Sequence, residues 1–258
     1  MRTLYFEAIG GASGDMLLGA LIGLGVDARR LEAALHTLCD DAFSISVERV
    51  TVSGIAGLRA SVNIPEHGHD HHHDHDERHA HGGHDHSHAH HGAHRHLGDI
   101  EAMIRASRLP EPVKQRAIDV FGRIADAEGE VHGLPRDHVH FHEVGALDSI
   151  VDIVGCCLAL HELGVDGVAV GPLPQGRGTI HCAHGVFPNP APATLLLSRG
   201  MRIEQTDEPH ELVTPTGAAL LAAWKTAEAP PAGSRVTAVA HSGPAMMAMS
   251  APRAVARW

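Results

Sequence analysis

Aromatic residues make up only 3% of this 258-residue chain, with two Trp, one Tyr and five Phe. A packed body must therefore be built from Leu, Ile, Val and Ala, which are plentiful. Eighteen consecutive apolar residues occur nowhere, which excludes an obvious membrane-spanning helix. The opening MRTLYFEAIGG lacks an apolar run behind a basic segment, so no secretory leader is read and a cytoplasmic location is expected. Basic clusters are missing too, and the formal net charge is -11. Phosphate neutralisation needs a basic face, so nucleic acid is not an expected partner, whereas a cation is. Only four cysteines occur (Cys39, Cys156, Cys157, Cys182), without CxxC spacing, and Cys156 and Cys157 fall inside a helical pattern. Reduced thiols are expected rather than a disulfide framework.

What the chain has in excess is histidine. Between Pro65 and Leu97 it reads PEHGHDHHHDHDERHAHGGHDHSHAHHGAHRHL, fifteen histidines with no apolar residue larger than Ala before Leu97. Neutral imidazoles are borderline donors suited to nickel, zinc and copper, so the tract, His71, His72 and His73 included, reads as a multidentate binder of late first-row dications. Glu66, Asp70, Asp74, Asp76, Glu77 and Asp85 add oxygen donors and negative potential. Ordering such a segment costs about 1–2 kcal/mol per residue in backbone entropy, and it has too little apolar area to offset that, so a flexible insertion is expected. The bland reading is a solvated linker. An expression tag fits poorly, because the run is internal and irregular.

About 225 residues remain outside the tract, enough for a sizeable core. Leu4 to Ile9 reads as a strand, followed by GGASGD and an apolar helix stopping at Gly25, with Asp27 capping a second helix. Alternation from Phe43 to Ile64 predicts a hairpin. Leu97 to Ala106 and Val113 to Val131 have helical spacing, punctuated by Pro110 and Pro112. Val139 to Phe141 reads as a strand, Ala146 to Leu163 as a buried helix ending at Gly164, and Val168 to Val170 as a strand. Ala193 to Leu197 is a short helix, and Thr214 with Pro215 caps a helix through Trp224. The order predicts an α/β fold, with mixed α+β as the alternative. One main domain is expected over residues 1–64 and 98–238, with 65–97 as the insertion and 239–258 as a disordered tail lacking a clear strand or helix cap.

Four constellations could carry chemistry. Gly10, Gly11, Ser13 and Gly14 lie between strand and helix, where backbone N–H groups can converge on a phosphate. The pattern is neither Walker A nor GxGxxG, and a plain turn capped by Ser13 or Asp15 explains it equally well; Asp15, with Glu7, could instead hold a hard cation. In HVHFHEVGALDSIVD, strand geometry would align His138, His140 and His142, while helix geometry puts Asp148 and Asp152 one turn apart. The imidazoles suit nickel or zinc; Glu143, Asp148 and Asp152 suit manganese or magnesium. The alternative is solvated histidines with Asp148 as a helix-terminus acid, but two carboxylates in an apolar helix are costly without a cation. His181 and His184 flank Cys182 as a possible soft-metal clamp, a weak local signal. Thr214, Thr216 and Gly217 could bind phosphate at a helix N-terminus, although plain capping explains Thr214.

Together, FEAIGGASGDMLLGAL, HVHFHEVGALDSIVDIVG, GTIHCAHGVFPNPAPATLLL and ELVTPTGAALL, in that order around a His-rich insertion, resemble the LarC nickel-insertion family. The resemblance runs from Leu4 to about Val236. It implies nickel insertion into pyridinium-3,5-bisthiocarboxylic acid mononucleotide, giving the nickel-pincer nucleotide of lactate racemase-type enzymes, a CTP-dependent, chelatase-type lyase reaction aided by manganese. Asp15, Glu143, Asp148 and Asp152 are then the candidate catalytic residues. Two departures stand out. Glu7 stands where many relatives carry Asp, and the family normally continues into a second domain that binds the nucleoside triphosphate. A partner C-terminal domain or polypeptide is therefore expected; a homo-oligomeric assembly is a separate expectation. Readings from other classes are nickel storage without catalysis, resting on the tract alone, and a metal-dependent phosphohydrolase, for which no nucleophile is evident.

Overall fold

The computed structural model describes residues 2–52, 54–65, 95–141, 144–182, 185–242 and 245–252, with the backbone alone for 181–182 and 245–252. Strand β1 (Thr3–Glu7) leads through a short loop into α1 (Gly14–Gly23). Asp27 then opens α2 (Ala28–Leu35), its Oδ1 accepting from the backbone N–H groups of Arg29 at 2.9 Å and Arg30 at 3.2 Å. The predicted hairpin follows as β2 (Ser44–Val52) and β3 (Ile55–Asn63), paired from Ser44 opposite Asn63 to Val52 opposite Ile55.

Past the histidine tract come β4 (Arg95–His96), α3 (Leu97–Ala106) and α4 (Glu111–His132), the last carrying Pro112 in its first turn. A 3-10 turn (Arg136–His138) and the two-residue strand β5 (His140–Phe141) precede α5 (Leu147–Leu163), which ends at Gly164. The remaining elements are β6 (Gly167–Val170), β7 (Leu173–Gln175), β8 (Thr179–Cys182), β9 (Gly185–Pro188), α6 (Pro192–Leu197), β10 (Ile203–Gln205), α7 (Pro215–Trp224), β11 (Lys225–Ala227), β12 (Ser234–Ser242) and β13 (Ala245–Pro252).

Five strands form the main sheet in the order β11-β6-β1-β13-β12. The first three are parallel, as long helical crossovers require, and β13 runs antiparallel to both neighbours. Along β1, Leu4 and Phe6 are buried, whereas Tyr5 and Glu7 on the opposite face stay partly exposed. Helix α5 is buried over most of its circumference; Leu18 of α1 and Leu35 of α2 close on its Gly155. Each fully buried Leu or Ile there contributes about 1.5–3 kcal/mol. The architecture is the expected α/β fold. No described helix is long and apolar enough to cross a membrane.

Two boundaries differ from the sequence reading. Arg95, His96 and Leu97 belong to the folded body: β4 pairs with β5, and Leu97 is a buried helix start anchored where His96 N–H donates to Asp99 Oδ2 at 3.1 Å. The expected tail is also corrected, since residues 239–242 complete β12 and residues 245–252 form β13, which fills the slot between β12 and β1 with Tyr5 opposite Ala248. Met and Ala carry little strand signal locally, and it is the two partner strands that order the segment.

Candidate functional site

The chain leaves β1 in a tight turn, Gly11 N–H donating to the Ala8 carbonyl at 2.9 Å. Gly11 has φ +118°, a region L side chains avoid, and a Cβ there would overlap the Leu212 carbonyl oxygen. That closeness is used: Ala12 N–H donates to Leu212 O at 2.9 Å and Thr214 N–H to Ala12 O at 3.0 Å. The two motifs Gly10–Gly14 and Thr214–Gly217 are thereby stitched side by side. Thr214 Oγ1 caps α7 by accepting from Gly217 N–H at 3.2 Å, and Gly217 itself lies flat against Ala12. Ser13 stands at the N-cap of α1 but donates its hydroxyl to Asp15 instead of accepting from the helix amides. Two helix N-termini, both positive dipole ends, meet here. Ile9, 72% exposed, projects from the same loop.

Helix α5 brings carboxylates to this junction. A Cβ built on Gly14 would lie 3.0 Å from Asp152 Cβ, 3.2 Å from Asp152 Oδ2 and 3.2 Å from Thr216 Cγ2. Asp152 thus touches the first residue of α1, and four residues on, the Cys156 thiol donates to Gly14 O at 3.4 Å. Burial, then the negative charges of Asp15 and Asp148, push the Asp152 carboxyl well above the usual carboxylate range. Its Oδ1 is buried with no hydrogen-bond partner among the described residues, although the side chain as a whole keeps a partly exposed edge. Asp148 Oδ1 accepts from Ser149 N–H at 2.7 Å. Burial also raises the thiols of Cys156 and Cys157, the latter to about 12, so both are protonated, in keeping with reduced cysteines.

The histidines are arranged otherwise than alternation suggested. His138 sits on the 3-10 turn, its N–H donating to Pro135 O at 2.8 Å, and its side chain is exposed. The turn that Pro135 opens takes three residues before extended backbone resumes, so His138 and His140 do not share a strand face. His140 instead packs against His96, with ring centroids 4.2 Å apart and ring planes tilted by 53°. Sequence reading counted His96 merely as the end of the tract; the signal that sets it apart is Asp99, three residues on, at the start of a helical pattern. His181 lies on β8 of the β8–β9 hairpin. His71, His72, His73, His142, Glu143 and His184 lie outside the described residues. Among the described residues, no three or more His, Cys, Asp or Glu are grouped to hold a metal ion. The suggested partnership of Glu7 with Asp15 is not what the contacts give: Glu7 accepts from the Tyr5 hydroxyl, Asp15 from Ser13.

A junction of a glycine loop, two helix N-termini and carboxylates has the chemistry to hold an anion and a cation as neighbours. The family model described as nickel insertion protein matches residues 4–249. The chain belongs to the nickel insertion protein family. That match includes most of β13, in line with its place in the sheet. Among relatives, the pyridinium-3,5-bisthiocarboxylic acid mononucleotide nickel insertion protein of Geobacillus kaustophilus is 42% identical, covering 93% of this chain and 55% of the relative. The putative nickel insertion protein of Geotalea uraniireducens is 46% identical over 86% of this chain and 52% of its own length. That of Roseiflexus castenholzii is 41% identical over 100% of this chain and 59% of its own. The chain thus spans about half the length of these nickel insertion relatives. No solved structure gives a significant match.

Proposed function

We propose that the chain carries the nickel-inserting site for pyridinium-3,5-bisthiocarboxylic acid mononucleotide, in a CTP-dependent reaction completed by a second domain or polypeptide. The observation that carries this reading is the joining of Gly10–Gly14 to Thr214–Gly217 beside Asp15, Asp148 and Asp152, in a chain 42% identical to a protein named for that insertion. In it, the amides of the α1 and α7 N-termini, with Thr214 and Thr216, hold the substrate phosphate. The orphaned Asp152 Oδ1 fits a dication, because a crowded carboxylate without a counter-charge is stabilised by one. Manganese or magnesium held by Glu143, Asp148 and Asp152 would supply charge neutralisation next to that phosphate. Nickel is the cargo, which His140, His142, His181 and His184 receive and the tract around His71, His72 and His73 stocks. The protein acts in the cytoplasm as a homo-oligomer.

The test is to mix the purified chain with nickel, CTP and the dithiocarboxylate nucleotide, with and without a polypeptide for the second half of a relative. Nickel-pincer nucleotide should appear only in the completed mixture. Asp148→Asn, which deletes a charge and keeps the shape, should remove product formation there while the circular dichroism spectrum is unchanged. Full activity of that variant would return Asp148 to a helix-terminus acid.

Deletion of Glu66 to His94 separates insertion from storage. Equilibrium dialysis should show several nickel ions per full chain and at most a few after deletion, while the completed mixture still makes product at a raised nickel requirement. Loss of all product at saturating nickel would favour storage or delivery as the role of the chain.

A further inference from the structure

At the carboxyl ends of the parallel strands β1 and β6 stands a polar pair that the reading above leaves unused. Glu7, the last residue of β1, accepts a hydrogen bond from the hydroxyl of Tyr5, the only tyrosine of the chain. Both project from the face of β1 opposite to the buried Leu4 and Phe6, and both are partly exposed. Across from them Gly171 follows β6, its N–H donating to Phe6 O at 2.9 Å. A Cβ on Gly171 would lie 3.0 Å from Glu7 Oε1 and 3.0 Å from the Tyr5 hydroxyl, so a side chain there would crowd the pair that glycine leaves uncovered. Arg202 acts electrostatically on Tyr5, yet Glu7 makes no ion pair among the described residues. The hydrogen bond to Glu7, then burial, pushes the Tyr5 phenol up to about 12, which keeps it a donor at any physiological pH.

From this arrangement we infer that Glu7 is the counter-charge for the cationic pyridinium ring of the substrate, and that Tyr5 is a positioning residue holding the Glu7 carboxylate toward that ring. The inference rests on the mononucleotide reading above and adds what recognises the ring. Glu7 lies four residues before Gly11, so the carboxylate and the phosphate-holding loop are within about 14 Å along the chain, and the turn at Ala8–Gly11 shortens this further. A mononucleotide with its phosphate on the loop is therefore within reach of the end of β1 with its ring. There a half-exposed carboxylate and an aromatic ring are the chemistry that favours a flat cation.

Nicotinamide mononucleotide and its reduced form are suitable probes, since they share the phosphoribosyl group and differ in ring charge. Titration calorimetry on the whole chain should show the oxidised, cationic form bound about fivefold more tightly, as for an ion pair at a partly exposed site. Glu7→Gln should bring the ratio to about one with affinity for the reduced form unchanged, Glu7→Asp should keep part of the preference, and Tyr5→Phe should lower it without abolishing it. An unchanged ratio in Glu7→Gln, or equal binding of both forms by the unsubstituted chain, overturns the inference and leaves the mononucleotide reading standing. Binding of neither form by the unsubstituted chain overturns the mononucleotide reading and the inference with it.

Discussion

Gly217→Ala is expected to destabilise the chain by about 1–3 kcal/mol, the usual cost of overpacking a tight contact, and to weaken binding of any phosphorylated ligand at the loop. The added Cβ would overlap the Ala12 carbonyl oxygen and stand 2.6 Å from its carbon and 3.0 Å from the Ser13 nitrogen. All three are backbone atoms of the loop itself, so no side chain can rotate out of the way. The only relief is to move α7 from α1, which breaks the Thr214 N–H bond to Ala12 O and the Ala12 N–H bond to Leu212 O. Urea denaturation monitored by circular dichroism measures the loss. Ala218→Gly serves as the control: it lies on the same helix, is fully buried, and costs mainly helix propensity, about 1 kcal/mol. Equal midpoints for Gly217→Ala and the unsubstituted chain would show that the two motifs are not held as closely as their hydrogen bonds describe.

Punctuation made most of the fold legible. Proline at 110 and 112, glycine at 164 and the Thr214-Pro215 pair each mark a helix end that the structure has. Alternation did the same for the β2–β3 hairpin. What local pattern could not carry was anything decided by a distant partner. Residues 245–252 are Met, Ala, Ser and Pro, weak strand formers, and become β13 because β1 and β12 offer unpaired edges on both sides. His138 was misplaced for the opposite reason: a local event, the 3-10 turn after Pro135, interrupts the strand that alternation assumed. At the site, spacing put Asp148 and Asp152 one turn apart correctly, because helical period is local. That the same face of α5 meets Gly14, and that Glu7 belongs with Tyr5 and not with Asp15, are tertiary facts with no local signature.

Asp152→Asn is expected to stabilise the metal-free chain at neutral pH relative to its value in acid, while removing nickel insertion in the completed system. The carboxyl of Asp152 is raised in the folded chain, first by burial and then by Asp15 and Asp148, above its ordinary value of about 3.9 in the unfolded chain. Below the unfolded value both states are protonated, and the contribution of the folded carboxyl to stability is fully present. As pH rises, the unfolded chain gives up its proton first, the folded chain binds more protons than the unfolded one, and stability falls until the folded value is passed. Asparagine has no proton to lose, so the variant escapes that decline. Urea midpoints of the two proteins from pH 4 to 8 should diverge in favour of Asp152→Asn as pH increases; a constant difference would mean that the carboxyl is not raised. Insertion should fall at least about tenfold over the same range, because the amide cannot balance a dication. A group that costs the empty fold stability and is needed for turnover is what a carboxylate kept for a bound cation must be, whereas a structural acid would lose stability and activity together.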